Sequence, residues 1–244
     1  MHFRTQFSHD IQSKTSYKII MIFEDWGLIP YGEALNKQLS YLEILDTALS
    51  KGEDHPGFLI FCTHPAVVTT GRQTKPDDIF SWTGEVIEIS RGGRATYHGP
   101  SQIVVYPIIN LKNPRKSRGA QEIRGYLRDF EKAIVLTLKE FGIEAVGKTT
   151  QKIPGEQAES DETGVWVGSQ KIASLGIAVK KWMTYHGAAI NFLDDASAFV
   201  GINPCGFKTE TMISVEKKCE ELKLEKPSIE LFKITLKKYI NELL

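Results

Sequence analysis

The chain has little that would commit it to a membrane, an oxidising compartment or a polyanion. No apolar run approaches the roughly 20 residues needed to cross a bilayer, and the segment before Tyr17, with His2, Arg4, His9, Asp10 and Lys14, lacks the hydrophobic centre of a secretory signal. Neither sign of charge is in excess: 30 basic against 30 acidic side chains among 244 residues leave a formal net charge of zero. Nucleic acid is therefore not an expected partner, and any charged partner must be met by a local patch. Only three cysteines are present, Cys62, Cys205 and Cys219, without a CxxC pair. An odd number of thiols fits a reducing compartment better than a disulfide framework, so a cytoplasmic protein with three free thiols is expected. The six histidines show no HExxH or other paired ligand spacing, and the cysteines complete none, so no metal site is expected. There is no internal repeat and no low-complexity tract.

What is present suits one large domain spanning 1–244, or one domain with a small appendage. Hydrophobic residues make up 41% and charged residues 25%, enough to bury a full core. Leu35, Leu39, Leu42, Leu45 and Leu49 repeat at helical spacing, as do Ile123, Leu127, Phe130, Ile134, Leu138 and Phe141, and Ile229, Phe232, Leu236, Tyr239 and Leu243. Runs rich in branched and aromatic residues predict strands over 17–23, 58–62, 67–70, 86–89, 103–109, 165–167, 172–182 and 185–192. The strands come in runs rather than alternating with helices, which predicts an α+β fold, a mixed β-sheet with helices packed on it. A polar stretch from Lys148 to Thr163, with Pro154 and Gly155, reads as a long loop within it.

Gly142, Gly147, Lys148 and Thr149 match the P-loop pattern GxxxxGK[ST]. A P-loop needs a strand before it and a helix after it, so that backbone amides and a helix N-terminus converge on phosphate. Here a helix precedes, Gly142 reads as its stop, and no helical period follows, so a nucleotide site is not expected.

Three other segments carry chemistry. Arg91-Gly92-Gly93-Arg94-Ala95-Thr96-Tyr97-His98-Gly99-Pro100-Ser101-Gln102 reads as a ligand-contacting loop: glycines admit close backbone approach, arginine is a fixed cationic fork, and hydroxyls and imidazole lie beside it. A hairpin connection whose polar groups merely satisfy the backbone is an equal reading of this stretch alone. Gly168 to Gly176, containing Lys171 and Ser174, and Thr184 to Asn191, containing His186, Gly187, Ala188 and Ala189, look like two adjacent strands. Their small residues would let a chain-like ligand lie on the backbone, or would simply pack closely. In Asn203-Pro204-Cys205-Gly206 a thiol sits between proline and glycine in a tight turn, where it is expected to be more exposed than a core cysteine. Cys62 and Cys219 read as small buried hydrophobes.

In series, these segments resemble the lipoyl(octanoyl) transferase family, marked by an RGGxxTYHGPGQ segment, a KI-small-SLG segment leading to a YHG turn, and an NPCG turn. Thr63-His64-Pro65 and Thr69-Thr70-Gly71 extend the likeness. Ser101 replaces the usual glycine of GPGQ, and Thr163 stands before Gly164 where proline is common. The resemblance implies the fold of lipoate and biotin protein ligases, which is similar to class II aminoacyl-tRNA synthetases. It also implies an acyltransferase that takes octanoyl (or lipoyl) groups from acyl carrier protein and delivers them to a lysine of lipoyl domains. The acceptors would be 2-oxoacid dehydrogenase E2 subunits and the glycine cleavage H protein. Cys205 would be the nucleophile, Lys171 its partner, and Arg91, Gly92, Gly93, Arg94, Ala95, Thr96, Tyr97, His98, Ser174, Leu175, Gly176, Gly187, Ala188 and Ala189 the acyl-site lining.

The chemistry suits these groups. A free thiol with a pKa of about 8.5 is only a few per cent thiolate at neutral pH, and a nearby ammonium would raise that fraction. A thioester donor is already activated, so no cofactor is implied. Six methylenes of an octanoyl tail bury at most roughly 5 kcal/mol, enough to select chain length. Lys112, Arg115, Lys116, Arg118, Arg124 and Arg128, or Lys180 and Lys181, could dock acidic carriers, although for any one of them solvated surface is the better-supported reading. The alternatives are an ATP-dependent lipoate-protein ligase, a non-catalytic acyl- or lipoyl-domain-binding protein, and a cysteine hydrolase using His98 or His186.

Overall fold

The computed structural model describes residues 20–149 and 161–244. In chain order the elements are β1 (Ile22–Leu28), α1 (Tyr31–Ser50), β2 (Phe58–Thr63), β3 (Val67–Thr70), β4 (Glu85–Glu88), β5 (Thr96–His98), β6 (Gln102–Ile108), α2 (Ile123–Glu140), β7 (Val146–Lys148), β8 (Gly164–Val167), β9 (Gln170–Lys180), β10 (Met183–Asn191), α3 (Val215–Leu222) and α4 (Ile229–Leu243). Seven strands form one mixed sheet in the order β1-β2-β6-β10-β9-β8-β7, and β4-β3-β5 form a second. Only the β1/β2 and β3/β4 pairs are parallel. The fold is the expected α+β arrangement.

The main sheet is covered on both faces, which is why β2 and β6 are unbroken apolar runs rather than alternating ones. Phe58, Ile60 and Cys62 of β2 and Val104, Tyr106 and Ile108 of β6 turn toward Ala34, Leu42 and Leu45 of α1. Leu59, Phe61, Ile103 and Val105 turn the other way, onto Tyr126, Phe130 and Ile134 of α2 and Phe232, Leu236 and Ile240 of α4. The three predicted helical stripes thus become the two outer layers, although Ile123, at the entrance of α2, is exposed. The short α3 has no counterpart among the predicted helices. It is set by Ser214, whose hydroxyl accepts from Lys217 N at 3.0 Å, and by Lys223 in a left-handed C-terminal position.

Several boundaries differ from the expected ones. The first strand is Ile22–Leu28, five residues later than its predicted start; residues 17–19 lie outside the described ones, as does most of the polar run, residues 150–160. The period-2 pattern there is weak because β1 is an edge strand, mostly exposed. The predicted strand 172–182 ends at Lys180: Lys181 and Trp182, with φ of 51° and 67°, make the two-residue turn into β10. Positive φ at both central positions matches the right-handed twist of the flanking strands, and it is met here without glycine. The P-loop pattern is not a phosphate cradle. Gly142 (φ 78°) terminates α2, and Lys148 lies in β7, 3.5 Å from Glu162 and over the Trp166 ring. The described residues contain no helix long and apolar enough to cross a membrane.

Candidate active site

β9 and β10 pair antiparallel so that Gly176 faces Gly187, Leu175 faces Ala188 and Ser174 faces Ala189. Strand β8 covers the edge of β9 only as far as Ser174. Beyond it the edge is taken by the arginine-glycine segment, with Gly92 N donating to Ile177 O at 3.2 Å. The smallness of Gly176 serves this docking, because a Cβ there would lie 2.9 Å from Arg91 Cδ. At Gly187 close packing also rules, since a Cβ would strike the Val105 carbonyl of β6.

The arginine-glycine segment is not a plain loop. Thr96–His98 form β5, paired with β3, and almost all of 91–99 is buried. Arg91 staples it: Nη1 donates to the carbonyls of Gly92 and Arg94, both at 2.9 Å, and Nη2 to Thr69 O at 3.1 Å and Thr69 Oγ1 at 2.9 Å. Arg94 ion-pairs with the wholly buried Asp78, whose carbonyl accepts from Asn203 N at 2.8 Å. Ala95 O accepts from Cys205 N at 2.8 Å. Tyr97 packs with Phe199 and Ile202 behind the same turn. Arg94, Ala95 and Tyr97 therefore hold the cysteine turn rather than line a cavity.

Cys205 has φ 56° and ψ 19° within a short 3-10 turn, Pro204–Gly206. A non-glycine residue is costly in that conformation, and here hydrogen bonds on both sides hold it. Contrary to expectation, the residue is buried, with 6% of its surface exposed, its backbone bonded to Ala95 just before β5 and to Asp161. Its Sγ lies 3.7 Å from Ser174 Oγ. Lys171 is wholly buried at the start of β9, between the rings of Trp166 and Phe207, with Nζ 5.6 Å from each ring centre. Its Nζ donates not to the sulfur but to Asp161 O at 2.7 Å, and Asp161 N donates to Cys205 O at 2.8 Å. One residue thus ties the amine to the cysteine turn.

A cavity with about 420 Å³ of empty space opens at this point. Its walls include Cys205, Ser174, Leu175, Gly176, Gly187, Ala188, Ala189, Arg91, Thr96 and His98 among the residues singled out from sequence. Gly92, Gly93, Arg94, Ala95, Tyr97 and Lys171 stand behind it. Gly93 (φ 86°) is needed because a Cβ there would lie 2.6 Å from Asp161 Oδ2. Tyr31, Val104, Tyr106, Asp161 and His186 also line the cavity, beyond the lining expected from sequence. Tyr31 opens α1 and carries no local signature, whereas the His186 position is in plain view within the Tyr185-His186-Gly187 motif.

The aromatic side of the cavity is a neutral polar cluster. Tyr31 stacks near His64, His98 and His186 and shares a 3.1 Å hydrogen bond with His186 Nδ1. His64 bonds Ile29 O and Tyr106 Oη, both at 2.7 Å. Burial pushes His64 down to about 4, against the bond to Ile29 O, and pushes His186 down to about 3, with the Arg91 charge adding to it. His98 is driven down by burial and then by the charges of His64, Arg91 and His186. His98 Nδ1 and His186 Nε2 are buried and have no hydrogen-bond partner among the described residues. No group of three or more His, Cys, Asp or Glu that could hold a metal ion is found among the described residues.

A family profile described as the lipoyl protein ligase A/B catalytic domain matches residues 36–241. The chain belongs to that family. Within the lipoyl protein ligase A/B family it is 52% identical over 225 residues to a Bdellovibrio bacteriovorus protein named octanoyltransferase, covering 92% of this chain and 99% of that one. It is 36% identical over 199 residues to a Pelobacter propionicus octanoyltransferase, covering 82% and 85%. Its fold is that of a solved lipoate-protein ligase A bound with ATP, with TM-score 0.61, 16% identity and coverage of 92% and 84%. Plasmodium falciparum LipL1 in complex with lipoate gives TM-score 0.59, 16% identity and coverage of 92% and 62%.

Proposed function

We propose that this protein is an octanoyltransferase that moves an octanoyl or lipoyl group from acyl carrier protein, through a thioester on Cys205, to a lysine of a lipoyl domain. The acceptor domains are those of 2-oxoacid dehydrogenase E2 subunits and the glycine cleavage H protein, the reaction is cytoplasmic, and residues 1–244 act as one catalytic domain. The observation that carries this reading is the convergence of Cys205 and Lys171 on Asp161 at the wall of the cavity. It draws further support from relatives named octanoyltransferase.

In the first half-reaction the Cys205 thiolate attacks the donor carbonyl carbon. The new S–C bond forms, the carrier's C–S bond breaks, and the carrier thiolate takes a proton from the Lys171 ammonium. In the second, the acceptor amine attacks the acyl-enzyme, its proton passes to the now neutral Lys171, and Cys205 leaves as thiolate. The thiolate and the ammonium are restored and a more stable amide remains. Both steps start from a thioester, so neither nucleotide nor metal is drawn on. The segment from Arg91 to His98, with Ser174 to Gly176 and Gly187 to Ala189, shapes the acyl site, some by lining it and some by holding its walls. Water is kept from the thioester by the same burial that encloses Cys205.

The test is intact mass spectrometry after incubation with octanoyl-acyl carrier protein and no acceptor. Wild type should gain one octanoyl group, labile to hydroxylamine and mapped to Cys205, and Cys205→Ser should gain none that is hydroxylamine-labile. Transfer by Cys205→Ala that requires ATP would instead make the protein a ligase.

A further inference from the structure

Glu131 sits where the stripe of α2 calls for an apolar residue, and it is 3% exposed. Burying a carboxylate is costly unless its oxygens are paired, and both are: Oε2 accepts from Thr149 Oγ1 at 2.7 Å and Oε1 from Gly164 N at 3.2 Å. Space for it is cut into β7, where a Cβ on Gly147 would lie 2.7 Å from Glu131 Cβ. Gly164 is the hinge of the arrangement. Its N–H meets Glu131, and a Cβ on it, at φ 151°, would lie 2.7 Å from Lys171 Cε and clash with Ala173 O. The carboxylate and the lysine stem therefore press on one glycine from two sides.

We propose that Glu131 is a positioning residue for Lys171, fixing its stem through Gly164 and supplying the buried negative charge that favours its protonated form. The need arises from the cycle itself, and the inference rests on the Cys205/Lys171 reading above. Once Cys205 is acylated and Lys171 has given up its proton, no thiolate remains to favour the cation that Lys171 must become when it takes the acceptor's proton. The other charges around Lys171 are already engaged. The Asp161 carboxylate accepts from Thr163 N and faces Gly93. Glu162 pairs with Lys148, Lys218 with Glu221, and Arg94 with Asp78. Arg128, the other cation near Glu131, is paired with Glu122 at the surface. Burial pushes the Glu131 carboxyl up, while Thr149, Gly164, Lys171 and Arg128 act to hold it ionised.

The experiment uses octanoyl-enzyme, mixed with a purified lipoyl domain across a pH series, with acyl loss followed by intact mass. Glu131→Gln keeps the shape: its amide oxygen can accept from Gly164 N and its NH₂ can donate to Thr149. The rising limb of the deacylation rate should move at least half a pH unit toward acid, about threefold faster transfer below the wild-type midpoint, because Lys171 releases its proton more readily. Misfolding cannot produce that acceleration. Glu131→Asp, which keeps the charge, should leave the limb at the wild-type pH even if the plateau falls. A limb unmoved in Glu131→Gln, or one moved equally by Glu131→Asp, overturns the inference. Failure of the parent reading looks different: no octanoyl-enzyme forms on Cys205, or Lys171→Met keeps the limb intact.

Discussion

Residue by residue, the three cysteines are set apart by what surrounds them. Cys62 is wholly buried on β2, and burial drives its thiol far up; Cys219 is buried on α3, and burial raises it as well. Cys205 alone lines the cavity. In the native protein, iodoacetamide should therefore alkylate Cys205 first, with Cys62 and Cys219 reacting only after denaturant is added; peptide mapping that finds Cys62 modified at a comparable native rate would contradict this assignment. The reading of Cys62 as a core hydrophobe follows from its place at the end of an apolar run, and the structure agrees. The burial of Cys205 was not legible, because it depends on Ala95 and Asp161, 110 and 44 positions away in the chain, bonding to the turn. The same holds for Glu131, whose position in a helical stripe gives no sign of the glycines at 147 and 164 that make room for it.

At the level of elements, the short α3 matters because it follows directly on the segment that pairs with the lysine's backbone: Ile213 N donates to Lys171 O at 3.1 Å. Its start rests on the Ser214 hydroxyl, 5% exposed and bonded to Lys217 N. Ser214→Ala should cost about 1 kcal/mol, seen as a melting temperature lower by roughly 2–4 °C for a chain of this size; an unchanged melting temperature would mean that the cap contributes nothing. Long elements were readable from periodicity, since the stripes of α1, α2 and α4 repeat over four or five turns. Short ones were not. α3 has two turns, β5 has three residues whose hydroxyl and imidazole side chains look like a binding loop, and β7 spans a glycine. In each, pairing with distant chain decides the conformation. Ends suffered for the same reason: nothing local in Lys180-Lys181-Trp182 announces a turn at positive φ. The basic cluster proposed for docking also changes character in three dimensions. Arg118 is buried and ion-paired to Asp129, and Arg115 Nε donates to Leu244 O at 2.5 Å, which leaves Lys112, Lys116, Arg124 and Arg128 as its exposed members, the last paired with Glu122.

Across the whole molecule, the cavity lies where the small sheet meets the large one, and the histidine cluster there joins α1, β2, β5 and β10 into one unit. His64 and His186 are held at about 4 and about 3, below the usual 6.5 of an exposed histidine, chiefly because burial penalises the cation. Between those values and 6.5 the unfolded chain binds protons that the folded one refuses, so stability rises with pH across that interval. The contribution is fully present above about 6.5 and drains away as pH falls toward 4 and then 3. Each tenfold loss of proton affinity on folding is worth about 1.4 kcal/mol, so the two residues together account for several kcal/mol, a large share of the 5–15 kcal/mol that typically holds a domain folded. The melting temperature should therefore drop steeply between pH 7 and pH 5, well before most carboxylates titrate. His64→Gln should lower it at pH 8, where the bonds to Ile29 O and Tyr106 Oη are lost, yet flatten its fall with acid, because one of the two protonation penalties is removed. Parallel curves for variant and wild type from pH 8 to pH 5 would show that the acid sensitivity arises elsewhere than in this cluster.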